Sequence, residues 1–95
     1  MDLNYLREQL DQIDAELVSL TEKRLQICEQ VAEYKIANHK PVLDEAREKQ
    51  KIETVRALTV DGRYRDAVEH LFVQIMKDSR ALQTRIIEDE HKKAE

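Results

Sequence analysis

Residues 2 to 38, DLNYLREQLDQIDAELVSLTEKRLQICEQVAEYKIAN, contain neither glycine nor proline. Apolar side chains recur there at Leu3, Leu6, Leu10, Ile13, Leu17, Leu20, Ile27, Val31 and Tyr34. Steps of three and four define one face of one helix. At a rise of 1.5 Å per residue that helix would run about 55 Å. A compact monomer of this length has a radius of gyration of about 12 Å. A helix so long cannot hide its stripe within its own chain, so a second copy is expected to cover it. Four residues beyond Leu20 the register lands on Arg24, a cation where the pattern calls for leucine. A buried cation needs an anion.

With 95 residues, one glycine and one proline, the chain reads as a single all-α domain, residues 1–95, with few turns. A domain this small gains from oligomerisation when it builds a core. The net charge of −4 argues against nucleic acid as the main partner. No apolar run approaches the roughly 20 residues of a membrane span, and the N-terminus shows no signal-peptide pattern. Cys28 is the only cysteine, so a cytoplasmic location is the default expectation.

Three helices are predicted. The first spans about 2–38, capped by Asp2 or Asn4 and stopped before Pro41. The second spans about 44–58 with Asp44 as its cap and a sparse stripe of Ile52, Val55 and Leu58. TVDGR at 59–63 is the clearest turn. The third helix spans about 64–91, with Tyr64, Val68, Leu71, Phe72, Ile75, Leu82 and Ile86 on one face. The polar tail EDEHKKAE is expected to fray.

Each helix carries polar groups in or beside its stripe. Arg24 interrupts the first, and Lys35 follows eleven residues later, within about 20° of the same face. Glu48 heads the second, with Asp44 one turn earlier and Arg47 beside it. Ser79 and Gln83 share a face of the third at i, i+4. Taken singly, each has an ordinary structural reading. Arg24 would be an interhelical salt-bridge partner, Lys35 a solvated side chain and Asp44 a cap. Glu48 would pair with Lys49 or Lys51, and Ser79 and Gln83 would be hydrogen-bonding pegs. Together they point to a polar pocket inside a helical bundle. Cys28 reads as a small buried hydrophobe, and His39, His70 and His91 show no metal-ligand spacing. Periodicity alone yields an antiparallel helical dimer with a charged cavity.

LREQLDQIDAELVSLTEKRLQICEQVAEYK, KPVLDEAREKQKIE and LFVQIMKDSRALQ, in that order, resemble the all-helical (AroQ-type) chorismate mutase family. The similarity runs from about Leu3 to beyond Gln83. It implies three helices in an intertwined homodimer and the rearrangement of chorismate to prephenate in phenylalanine and tyrosine biosynthesis, with neither cofactor nor metal. Arg7 resembles the arginine that reaches into the partner's site, and Arg24 the one that binds a substrate carboxylate. Lys35 resembles the lysine bonded to the ether oxygen and a carboxylate. Glu48 would hold the substrate hydroxyl, with Asp44 and Arg47 adding contacts. Ser79 and Gln83 resemble the third-helix pair, Gln83 being the second donor to the ether oxygen. The turn around TVDGR looks slightly shorter than in some relatives.

The chemistry fits such residues. Four cations (Arg7, Arg24, Lys35 and Arg47) against Asp44 and Glu48 leave a surplus of two, matching a dianion. An intramolecular pericyclic step asks only for a held conformer and donors at the breaking C–O bond. Two other readings stand beside it: an isochorismate–pyruvate lyase on the same fold, and a non-enzymatic helical dimerisation or regulatory module. The resemblance also allows fusion to, or complex formation with, another shikimate-pathway enzyme.

Overall fold

The computed structural model describes residues 2–94. α1 spans Leu3–Ala37, α2 spans Glu45–Leu58, a 3₁₀ turn covers Gly62–Tyr64, and α3 spans Arg65–Ala94. The described residues contain no strand. Among the described residues the fold is all-α with three α-helices, as expected.

Local chemistry sets the helix ends. The Asp2 carboxylate accepts the Tyr5 N–H at 2.9 Å, satisfying one of the free donors that open α1. At the other end His39 turns left-handed, with φ of 52°. There the Lys40 N–H returns to the Lys35 carbonyl at 2.9 Å and the His39 N–H to that of Ile36 at 3.4 Å. That bond pair is the Schellman closure, which usually places glycine where His39 stands. Asp44 caps α2 by accepting the Arg47 N–H at 3.0 Å. Asp61 does the same for the 3₁₀ turn, accepting from the Arg63 N–H at 3.0 Å. Gly62 does not adopt a positive φ, so the Asp-Gly corner works through the aspartate cap rather than glycine's freedom. The Arg63 side chain, and then its backbone N–H, hold the Asp61 carboxyl below the usual aspartate range. This exposed pair adds a little stability above about pH 4, fading as pH falls toward the lowered value. The tail departs from expectation: EDEHKK continues α3 as helix. His91, Lys92 and Lys93 in its last turn complement the negative end of the helix dipole.

α3 is the centre of the packing. Both α1 and α2 lie against it, and among the described residues they make no close backbone contact with each other. Arg56 on α2 also bridges to Asp66 and Glu69 near the start of α3, at 3.0 and 3.3 Å. The fold is long and thin, 60 × 27 × 14 Å, with a radius of gyration of 17.0 Å. That is well beyond the 12 Å or so of a compact chain of this size.

The buried apolar set among the described residues is Cys28, Ala32, Val55 and Met76. None of these belongs to the long α1 stripe. α1 meets α3 through the neighbouring face of Cys28 and fully buried Ala32, where small side chains let two helices approach closely. Leu3, Leu6, Leu10, Ile13, Leu17 and Leu20 remain exposed, between 41% and 60%. No helix among the described residues is long and apolar enough to cross a membrane.

Candidate active site

The gap between α1 and α2, floored by α3, forms a cavity of about 320 Å³. That volume suits a small ligand. Seven of the eight site residues anticipated from sequence line it: Arg24 and Lys35 from α1, Asp44, Arg47 and Glu48 from the start of α2, Ser79 and Gln83 from α3. Arg7 does not. It is exposed on α1, seventeen residues before Arg24 and so about 25 Å away along the helix axis.

The polar groups along the floor are joined. Lys35 Nζ donates to Gln83 Oε1 at 3.0 Å and to the Val42 carbonyl at 2.6 Å. Gln83 Nε2 donates to Ser79 Oγ at 3.1 Å, and Ser79 Oγ donates to Cys28 Sγ at 2.9 Å. Arg24 Nη1 reaches the same sulfur at 3.8 Å. Gln83 and Ser79 are buried, yet no buried side-chain nitrogen or oxygen among the described residues lacks a partner. The network fixes the Gln83 amide: flipping it would set its NH₂ against the Lys35 ammonium. An ammonium has three protons and an amide nitrogen two. After the bonds above, one N–H remains on Lys35 and one on Gln83, two adjacent donors on one cavity.

The helix ends position these groups. The Schellman turn bends the chain at His39, so the connector passes back over Lys35 and offers it the Val42 carbonyl. Asp44 serves as cap and cavity wall at once, its Oδ1 already engaged by the Arg47 N–H. Its ordinary structural reading therefore stands alongside its place at the cavity.

Glu48 differs from the pairing expected of it. Neither Lys49 nor Lys51 takes its carboxylate; Arg80 on α3 does, Nη1 to Oε1. The reason is tertiary, since α3 supports α2 at this point while the two lysines extend from α2 itself. Arg80 and Lys51 also line the cavity, and neither was anticipated. The signals available were weak ones: Arg80 sits i, i+3 before Gln83, and Lys51 i, i+3 after Glu48. Cys28 is buried as expected, but it is also the acceptor that ends the Ser79 bond. In all, five cationic side chains face two carboxylates around the cavity, a surplus of three. Such a wall attracts a small anion with more than one negative charge. Among the described residues no group of three or more His, Cys, Asp or Glu side chains is placed to hold a metal ion.

Compared with known protein families, residues 6–84 match chorismate mutase type II. The chain belongs to the chorismate mutase type II family. The match starts before Arg7 and ends just after Gln83, so it takes in all eight anticipated residues and every side chain lining the cavity. Neither a curated protein nor a solved structure gives a significant match to the chain. Membership in the chorismate mutase type II family supports chorismate as substrate and an isomerase reaction.

Proposed function

We propose that the chain is a chorismate mutase that binds chorismate in the cavity between α1 and α2 and rearranges it to prephenate. The observation that carries this reading is the Lys35–Gln83 contact of 3.0 Å, which sets two donors side by side on a cationic cavity. In the reaction the ether C–O bond breaks as a new C–C bond forms within the same molecule. Electrons move in a ring, and no proton or group leaves. Negative charge grows on the ether oxygen, and the spare N–H groups of Lys35 and Gln83 meet it. Fixed donors of this kind are worth most when they need no rearrangement as charge develops.

The two substrate carboxylates go to Arg24 and Arg47, whose planar guanidinium groups suit bidentate contact. Glu48 accepts the substrate hydroxyl. Ser79 orients Gln83 through their hydrogen bond of 3.1 Å. Holding the enolpyruvyl arm over the ring in its reactive conformer supplies the remaining acceleration.

The active form is a homodimer in the cytoplasm. The uncovered stripe from Leu3 to Leu20 supports it, because leucines exposed in such a row gain about 25 cal/mol for each Å² that a second copy covers. In an intertwined pair, Arg7 of the partner subunit closes the cavity and adds a further cation. The test is product identity. Purified protein should convert chorismate to prephenate alone, and should not release pyruvate from isochorismate. Pyruvate release from isochorismate with chorismate untouched would favour the lyase. Inertness toward both, with an intact dimer, would favour a non-enzymatic module.

A further inference from the structure

A carboxylate in a pocket built for a dianion is a liability: it repels the guest whose hydroxyl it is meant to hold. Glu48 stands in that position, on the cavity wall with its side chain 24% exposed. Arg80 meets it from the facing helix, itself a cavity-lining side chain at 34%. The bond uses Glu48 Oε1, so Oε2 is left for an incoming hydroxyl. α2 and α3 thus bring together two charges 32 positions apart in sequence, and they do so at the cavity rather than on an outer face.

We propose that Arg80 is the positioning residue that neutralises and holds Glu48, allowing a carboxylate to serve a doubly negative substrate. The inference rests on the chorismate reading above. Arg80 acts through Glu48 and does not touch the substrate. Its guanidinium cancels the local negative charge and stops the Glu48 side chain from swinging onto Arg47 or Lys51, so that Arg47 is left free for a substrate carboxylate. Two other roles for Arg80 make different predictions. A plain strut between α2 and α3 would matter for stability alone. An arginine that grips a substrate carboxylate would matter whatever stands at position 48.

Steady-state kinetics on chorismate separate the three. Arg80→Gln is shorter, keeps a donor and removes the charge; it is expected to raise KM about tenfold, a coupling of ordinary size for a close charge pair. Arg80→Lys keeps the charge and should hold KM within about threefold of wild type. The decisive variant removes both charges. Glu48→Gln with Arg80→Gln should bring KM back to within about threefold of wild type, while kcat stays low because the hydroxyl has lost its carboxylate. An unchanged KM in Arg80→Gln would overturn the proposal and leave a strut. A KM raised equally in the single and double variants would overturn it in favour of direct contact with substrate. If Arg80→Gln folds poorly, Arg80→Met replaces it in the same comparison. A wild-type protein that leaves chorismate intact would instead defeat the functional reading; an active wild type with an indifferent Arg80 defeats only this inference.

Discussion

Lys35 and Gln83, 48 positions apart in the chain, meet at 3.0 Å with the lysine donating to the amide oxygen. The contact decides which way the amide faces. With Oε1 held by an ammonium, the nitrogen must turn toward Ser79, and its second proton is left for a ligand. An amide keeps that proton at every pH at which the fold survives.

A carboxyl group would not. In Gln83→Glu the side chain donates only when protonated, and a glutamate beside an ammonium favours the charged form. Activity should therefore rise as pH falls, whereas the wild type stays active at pH 7 to 8. A pH profile of kcat/KM for the two proteins checks this. A flat profile in the variant would remove Gln83 from the ether oxygen.

Arg7 sits too far along α1 to serve the cavity of its own chain. If it serves the partner's, Arg7→Ala and Arg24→Ala proteins are each inactive but complement one another. In a mixed dimer one site has both arginines and the other has neither. Random exchange makes half the dimers mixed, so activity should recover to about one quarter of wild type. Mixed dimers, verified by mass, that stay inactive would count against a site built from two chains.

His39 occupies the left-handed position that ends α1, with φ of 52°. Glycine takes that conformation without strain. His39→Gly should stabilise the protein by about 0.5–1 kcal/mol and raise Tm by a few degrees. Thermal unfolding followed by circular dichroism measures it. A lower Tm would mean that the imidazole makes contacts worth more than the strain it carries.

The parts of this molecule that local chemistry controls could be read from the chain. Asp2 and Asp44 cap where their positions at the head of stretches free of glycine and proline place them, and α1 stops short of Pro41 because the backbone there cannot stay helical. The cavity set was legible for a related reason: Arg24, Glu48 and Ser79 stand where hydrocarbon belongs, so each advertises a partner. What could not be read depends on which surfaces meet. α1 turns Cys28 and Ala32 to α3 and leaves the leucine stripe out, a choice made by close approach of small side chains rather than by the strongest hydrophobic period. Arg80 was invisible because its partner lies on another helix, while two lysines nearer in sequence competed for Glu48 on paper. The same gap between local pattern and tertiary position separates Arg7, which the sequence resemblance picks out, from the cavity of its own chain.

On the function proposed above, Lys35 delivers a hydrogen bond to the breaking C–O bond of chorismate. Loss of chorismate's diene absorbance, followed side by side for wild type and Lys35→Ala, tests it most directly. Removing one such donor costs about 10²–10³ in kcat, so the variant should retain at most roughly one hundredth of wild-type turnover, with unchanged helix content and dimer mass. Turnover within a few-fold of wild type would remove Lys35 from the breaking bond.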